Sequence, residues 1–323
     1  MARFILGRLV KAALTLLAIL VLNFFLIHAA PGDPAMIMMA ETGSSDPQVL
    51  ADMRARFGLD QSLPMQLALY IKGYLTLDMG WSFRRDVPVF DLIADRLPAT
   101  LLLTMTAFAI SLGLGVLAGA LAARRQGGWG DTIISTVALL FYATPLFWMA
   151  LMASLLFSVG LGWLPGFGYE TVGANYTGLA RMGDIALHLI LPATTLGLFF
   201  TAVYARMTRA SMLEVNRLDF VKTARAKGLR PSVITRRHVL RNALLPIITL
   251  AGLQAGQLVG GAVLTETVFA WPGIGRLMFE AIAQRDYNII LSVFFVSAAL
   301  VLLFNLITDL LYMVVDPRIR LQS

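Results

Sequence analysis

The residues that could carry catalysis are few in this chain of 323 residues, and they form no recognisable active-site pattern. The chain has no cysteine, which excludes thiolate catalysis, disulfides and cysteine-ligated metal clusters. Its histidines, His28, His188 and His238, are dispersed and form no His-Glu-x-x-His motif. None of the lysines follows a glycine, so the sequence lacks the Gly-x-x-x-x-Gly-Lys loop that cradles nucleotide phosphates. The sequence therefore predicts neither an ATPase nor a metal site.

A dense group of basic residues between positions 206 and 241 is the strongest candidate for a functional surface. This segment holds ten Lys and Arg residues against two acids. Gly228 is placed to end a short helix over 219–227, and Pro231 fits the first turn of the next helix. Small residues such as Ala224 would let a partner approach closely. This broken-helix pattern favours a protein-docking element over a basic stretch that binds only anionic lipid headgroups.

The elements that must position this segment are membrane helices. The chain is 58% hydrophobic and 14% charged, with a mean hydropathy of +0.75, which is too apolar for a soluble domain. We expect six transmembrane helices rather than a barrel, because the apolar runs show no alternation with a period of two. Each run is long enough to cross about 30 Å of hydrocarbon. The runs lie at 12–30, 97–123, 132–169, 185–205, 242–265 and 287–315.

The distribution of charge predicts the orientation of these helices. Residues 1–11 carry three basic residues and no acid, and 206–241 is strongly basic, whereas 31–96 holds six basic and nine acidic residues. Positive charge in every second loop indicates that both termini lie in the cytoplasm. The net charge of +7 is therefore explained without nucleic-acid binding. The first apolar run could also be a cleaved signal peptide, but its length and flanking charge favour a retained helix.

Three other function classes predict different features. A proton- or sodium-coupled transporter usually places ionisable groups deep in the bilayer, whereas the six runs contain only Asp309, His188 and, near the end of the first run, His28. Intramembrane aspartyl catalysis needs two facing carboxylates, and only one run contains a carboxylate. A receptor or scaffold is compatible with the charge pattern, although a protein-docking element that transmits force explains the interrupted helices of the basic segment 206–241 better.

Short motifs occur in a fixed order along nearly the whole chain. They are Arg8-Leu9, Pro31-Gly32-Asp33-Pro34, Phe57-Gly58-Leu59-Asp60, Arg96-Leu97-Pro98-Ala99-Thr100, the segment from Thr223 to Leu229, Arg237-His238, the segment from Arg241 to Pro246, the segment from Glu266 to Arg276, Arg285-Asp286-Tyr287 and Asp316-Pro317-Arg318-Ile319-Arg320. Together they resemble the membrane permease subunits of ABC importers for dipeptides, oligopeptides and nickel. The chain departs from that pattern at Arg230, where the family commonly has a helix-capping Ser or Thr, and at Leu77-Asp78-Met79-Gly80, where Gly-Asp-Leu-Gly is frequent.

The resemblance implies an all-α integral membrane protein with the type I ABC importer transmembrane fold. Six transmembrane helices would comprise an extra N-terminal helix and a core of five, with a helical external segment between them. The protein would lie in the inner membrane of a bacterium. The external segment would be a lid or docking surface, or alternatively a passive connector. The expected domains are the N-terminal helix 1–30, the external segment 31–95, the core 96–315 with its coupling loop 206–241, and a cytoplasmic tail 316–323.

The residue spacing and the resemblance together indicate roles for four groups of residues, of which the glycines at 252, 256 and 260 are predicted from their small-residue spacing. A coupling helix that sits in a groove of an ATPase subunit would contain Asp219, Phe220, Thr223, Ala224, Arg225, Ala226, Lys227, Gly228 and Leu229. Support for this coupling loop would come from Arg237, His238, Arg241, Asn242 and Pro246. Candidates for the pathway or for helix contacts are Gly252, Gly256, Gly260, Glu266, Trp271, Pro272 and Gly273. Candidates for contact with a binding protein are Asp33, Asp46, Asp60 and Asp78.

The implied partners are a paralogous second permease, two ABC ATPase subunits of the same or different chains, an extracytoplasmic substrate-binding protein and the lipid bilayer. ATP and Mg would be bound by the ATPase subunits, and this chain would bind no cofactor and catalyse no reaction. Its expected function is to form half of a pathway for di- and oligopeptides. Nickel or a metal–chelator complex is the alternative cargo, and an ion-coupled secondary transporter is the alternative from another class.

Overall fold

The computed structural model describes residues 2–29, 61–82 and 84–315, and most of these are helical. The chain divides into two compact units, one of residues 1–96 with 277–299 and the other of residues 97–276 with 300–323. The motifs at 31–34 and 57–60, and the C-terminal motif from 316, lie outside the described residues.

Eleven helical segments are named here in chain order. They are α1 (Ala2–Ala29), α2 (Leu63–Leu75), α3 (Val89–Arg124), α4 (Trp129–Ala143), α5 (Leu146–Ala153), α6 (Gly178–Val215), α7 (Asp219–Ala226), α8 (Pro231–Val233), α9 (Arg241–Val268), α10 (Ile274–Gln284) and α11 (Tyr287–Val315). Two π-helical stretches, Ser154–Gly160 and Ile234–Leu240, follow α5 and α8 directly. A minimal hairpin pairs strands β1 (Trp81–Ser82) and β2 (Val87–Pro88) antiparallel. Neither this hairpin nor α10 was predicted from the sequence.

The described helices contain between four and six membrane spans. The helices α1, α3, α6 and α11 are each long and apolar enough to cross a bilayer. Two further spans are bent: α4 with 146–160 turns by 103°, and 231–252 with 254–268 turns by 42°. If each bent pair is one span, the total is the predicted six. The sharper bend occurs at Thr144, which is extended (φ −79°, ψ 131°) because the following Pro145 disfavours helical geometry there.

The first unit is held together by polar contacts between its early and late segments. The Tyr74 hydroxyl lies 2.9 Å from the Ser292 hydroxyl, and the Ser82 hydroxyl donates to the Asp286 carboxylate at 2.6 Å. The Arg85 guanidinium lies 2.7 Å from the Glu280 carboxylate. Because these groups are buried or half-buried and paired, they fix the hairpin and the end of α2 against the 277–299 segment.

The second unit has its core between α3, α6 and α9. The fully buried side chains of Leu103, Leu196 and Ile247 come from these three helices in turn. The helices α3 and α6 approach backbone to backbone, since a Cβ atom at Gly119 would lie only 2.6 Å from the Cβ of Thr208. Such small-residue contacts are the usual way in which membrane helices pack closely.

Candidate functional site

The helix α7 ends in the turn that the sequence predicted. Gly228 has a φ of +73°, which an L-residue with a side chain rarely adopts. Its N–H donates to the Arg225 carbonyl at 2.9 Å, and the Leu229 N–H donates to the Ala224 carbonyl at 3.3 Å. This pair of bonds is a Schellman motif, which closes the helix and sets the direction of the chain after it.

One face of α7 is buried within the second unit. Val221 is fully buried and Ala224 nearly so, and both belong to an apolar cluster with Met212 of α6 and with Ile234 and Val239 of the π-helical stretch. Burying a valine side chain contributes about 1.5–3 kcal/mol. The helix is therefore anchored to the segments that continue into α6 and α9. Val221 was not among the predicted coupling residues, although its spacing of three from Ala224 is a helical signal visible in the sequence.

The other face of α7 is exposed and basic. Phe220 and Leu229 expose 42% and 39% of their surface, which leaves apolar area uncovered beside charged side chains. The remaining predicted coupling residues, Asp219, Thr223, Arg225, Ala226, Lys227 and Gly228, are all exposed as well. An exposed apolar patch with a charged rim is typical of a protein-docking surface.

Local hydrogen bonds order this exposed face. The Lys222 ammonium donates to the Asp219 carboxylate at 2.8 Å, and this bond lowers the pKa of Asp219. The Arg225 guanidinium donates to the Asn216 side-chain oxygen at 2.6 Å. The second bond links the C-terminal end of α7 to the residues before the helix, whereas the exposed Asp219–Lys222 pair lies within α7 and stabilises the fold little by itself.

The predicted support residues follow α7 on the next helical segments. Arg237 and His238 lie in the π-helical stretch, and the Asn242 amide donates to the His238 carbonyl at 2.6 Å. Pro231 occupies the first turn of α8, as predicted. Arg230 precedes it with extended backbone and no capping bond from its side chain, so the departure from the family pattern leaves this helix start without a side-chain cap.

The predicted pathway glycines of α9 have different surroundings. A Cβ atom at Gly252 would overlap the side chain of Thr308, and one at Gly256 would lie 2.9 Å from Val301, so both glycines allow α11 to pack closely. Gly260 is exposed and has open space at its Cβ position. The geometry therefore separates two glycines at a helix contact from one on an open face.

Three of the other pathway candidates, Glu266, Trp271 and Gly273, are buried at the end of α9 and in the loop that follows it. Glu266 is fully buried and accepts a hydrogen bond from the Thr100 hydroxyl at 2.6 Å and another from the Arg276 N–H at 2.9 Å. Trp271 is also fully buried, and its indole N–H donates to the Ala99 carbonyl at 2.9 Å. Gly273 faces the Glu266 carboxylate so closely that a side chain would not fit. These contacts join the loop after α9 to α3 within the second unit.

Only one of the candidate contacts with a binding protein is described. Asp78 is exposed just after α2, and its carboxylate accepts the Gly80 N–H at 3.3 Å. The other three, Asp33, Asp46 and Asp60, lie outside the described residues. Among the residues that the structure describes, no group of three His, Asp or Glu side chains could hold a metal ion.

Comparison with known proteins matches the whole length of the chain. Residues 115–321 match the family model described as binding-protein-dependent transport system inner membrane component, and residues 1–104 match the model of its N-terminal region. The dipeptide transport system permease protein DppB of Alkalihalophilus pseudofirmus is 41% identical, over 99% of this chain and 100% of that protein. The di/tripeptide transport system permease protein DppB of Pseudomonas aeruginosa is 41% identical, over 100% of both chains. The dipeptide transport system permease protein DppB of Escherichia coli K12 is 40% identical, over 99% of both.

Among solved structures, a chain of the inward-facing MetNI methionine ABC transporter resembles this chain in fold. The match has a TM-score of 0.56 at 19% identity and covers 70% of this chain and 96% of that one. This likeness confirms the predicted type I transmembrane fold.

Proposed function

Because this chain belongs to the family of binding-protein-dependent transport system inner membrane components, we propose that it forms half of the translocation pathway of a di- or oligopeptide importer. The proposal of peptide cargo is supported by the three full-length relatives named as dipeptide or di/tripeptide permeases. The chain is a multi-pass subunit of the inner membrane. In the proposed complex it carries no ATP chemistry of its own, and two partner subunits bind and hydrolyse ATP with Mg.

The two-faced geometry of α7 is the observation that carries the proposal. Its exposed face would sit in a groove of one ATPase subunit, with Phe220 and Leu229 in apolar contact and the basic residues facing acidic groups. Its buried face, through Val221 and Ala224, would transmit the displacement to α6 and α9. ATP binding would favour one state of the complex because it favours the closed ATPase pair, and α7 would link that closure to the membrane helices.

The pathway in this proposal runs between this chain and a paralogous permease. Gln257, Gly260 and Leu264 are spaced three and four residues apart on one exposed face of α9. An amide side chain on a membrane helix is favoured where it meets water or a polar partner rather than lipid. We therefore assign this face to the pathway or to the contact with the second permease.

The remaining parts of the proposal concern orientation and delivery of cargo. The segment 206–241 lies in the cytoplasm, together with both termini, since its excess of basic residues follows the positive-inside rule. A substrate-binding protein delivers peptide to the opposite side, where Asp78 lies on the exposed turn after α2. The external segment 31–95 then serves as part of the docking surface.

Reconstitution tests the proposed function directly. The chain would be assembled in liposomes with its second permease, its ATPase subunits and the binding protein, and uptake of a labelled dipeptide would be followed with and without ATP. We expect uptake that requires both ATP and the binding protein. Uptake that continues without ATP but stops when a proton gradient is removed would contradict the proposal, and uptake of nickel in place of peptide would contradict the cargo assignment.

A further inference from the structure

A partly buried ion pair joins α4 to α6. The Arg209 Nε and Nη2 atoms donate to the two carboxylate oxygens of Asp131 at 2.6 and 2.7 Å. The side chain of Asp131 is only 7% exposed and also accepts the Gly127 N–H at 3.0 Å. Two parallel bonds from one guanidinium to one carboxylate, with a further donor, are a strong and geometrically specific arrangement.

The pair lies on a continuous series of contacts that ends at α7. Asp131 is in the first turn of α4, and Arg209 is three residues before Met212 of α6. Met212 belongs to the apolar cluster that buries Val221 of α7. A displacement of α7 would therefore reach Met212, then Arg209 on the next turn of the same helix, and then α4 through Asp131.

The contacts of α6 with its two neighbouring helices differ in kind. Its contact with α3 at this level brings Gly119 against Thr208, and this is a close apolar contact between small residues that contains no ion pair. Its contact with α4 is the bidentate pair, in which the carboxylate is buried and the guanidinium is 33% exposed, so separating the two would leave a buried carboxylate without its main partner. A second, weaker contact lies beside it, with the Arg206 guanidinium 5.9 Å from the centre of the Tyr142 ring.

We infer that Asp131 and Arg209 are positioning residues that oblige α4 to move with α6 when the coupling helix is displaced. This inference rests on the proposed function, since it names the contact through which motion of α7 is transmitted to a further membrane helix. A purely structural pair would contribute to stability alone. A pair that transmits motion between the helices would also set how much peptide is transported for each ATP hydrolysed.

The experiment measures peptide uptake per ATP hydrolysed by the complete complex in liposomes, together with its thermal unfolding. The first variant, Arg209→Lys, keeps the charge and removes the two-pronged geometry. The second, Asp131→Asn with Arg209→Gln, removes both charges and leaves none buried without a partner. We expect uptake per ATP to fall about tenfold in both variants, a typical coupling strength between two sites.

A matched control exists at the other end of the same helix. Arg181 Nε lies 2.7 Å from the Glu170 carboxylate, and both side chains are about half exposed. The pair Glu170→Gln with Arg181→Gln removes an arginine–carboxylate contact of the same length from α6 without touching the series of contacts to α7. We expect this control to keep the wild-type ratio of uptake to ATP hydrolysis.

The possible outcomes separate the inference from its alternatives. A double neutral variant that keeps the wild-type uptake per ATP would overturn the inference, whether or not its thermal stability falls. The exchange Asp131→Arg with Arg209→Asp should recover part of the lost ratio, because it restores opposite charges at the same two positions. Failure of the wild-type complex to take up peptide with ATP would refute the proposed function itself, and the role of the pair with it.

Discussion

Replacing Gly228 with valine tests whether the turn after α7 matters for coupling. Gly228 has a φ of +73°, and a Cβ atom added there would have open space around it. The substitution therefore introduces no steric overlap with neighbouring residues. Its cost is confined to the backbone, since a β-branched residue is strongly disfavoured in the left-handed region.

The size of this effect follows from the conformation of the turn. Placing an L-residue in the left-handed region costs about 1–2 kcal/mol relative to glycine. This free energy lowers the population of the native turn, relative to alternatives, by a factor of about 5–30. The alternatives lose the two hydrogen bonds that the Gly228 and Leu229 N–H groups donate. The exposed face of α7 would then no longer be held in one geometry for its partner.

The assay is ATP-driven uptake by the reconstituted complex, with ATP hydrolysis measured in the same liposomes. We expect Gly228→Val to reduce uptake per ATP several-fold and to leave membrane insertion unchanged. Gly228→Asn should stay near the wild type, because asparagine tolerates the left-handed region. Gly173→Val is the matched control: Gly173 has a φ of +81° and open space at its Cβ position, but it lies in the loop before α6.

Two results would refute this reasoning. If Gly228→Val transports with the wild-type ratio, the geometry of the turn is not required for coupling. If Gly173→Val lowers the ratio as much as Gly228→Val, the effect comes from loop strain in general and not from the position of α7.

Three further predictions concern the buried face of α7, the glycines of α9 and the effect of pH. Ala224→Asp places a carboxylate in the apolar cluster beside Met212 and Ile234, which disfavours the packing that holds α7 in place. We therefore expect the ATPase subunits to be lost when the complex is purified. Normal co-purification would argue against α7 as the surface that binds the ATPase subunit. Gly252→Val should lower thermal stability by about 1–3 kcal/mol, because the new side chain overlaps Thr308. Gly260→Val should keep the thermal stability and alter uptake, because Gly260 has open space at its Cβ position. Equal thermal stability of the two variants would contradict the assignment of Gly252 to a helix contact and of Gly260 to an open face. The bond from Lys222 lowers the pKa of Asp219, so any stabilisation by the carboxylate is present above its ordinary pKa and is lost only as pH falls through the lowered pKa. We therefore expect Asp219→Asn to leave the pH dependence of uptake unchanged between about pH 6 and pH 8. A shifted pH dependence would show that this carboxylate titrates in that range.

The features that depend on short stretches of sequence could be predicted. The apolar runs gave helices at 97–123 and 185–205, because the length and composition of a run decide whether it can cross a bilayer. The stop at Gly228 and the start at Pro231 were predicted for the same reason, since left-handed backbone and a missing N–H are properties of single residues. A helical external segment was expected, and α2 (Leu63–Leu75) lies within it.

The pairing of distant residues could not be predicted. Nothing in the sequence connects Asp131 with Arg209, which are 78 positions apart, or Thr100 with Glu266, which are 166 apart. The glycines of α9 were treated as equivalent, although Gly252 contacts α11 and Gly260 does not. These relations depend on which helix faces which, and this follows from packing over the whole core rather than from local composition.

The sequence alone thus determined that the chain crosses a membrane, which segments do so, and that its basic charge is concentrated around one short helix. Hydrocarbon imposes these choices on each segment separately, because every apolar run must satisfy its own backbone hydrogen bonds. Only the tertiary structure decided that Val221 and Ala224 attach this helix to α6 and to the segment leading into α9, and that Arg209 extends the connection to α4. A charge in a loop is visible in the sequence, but the partner of a buried charge depends on how the helices pack.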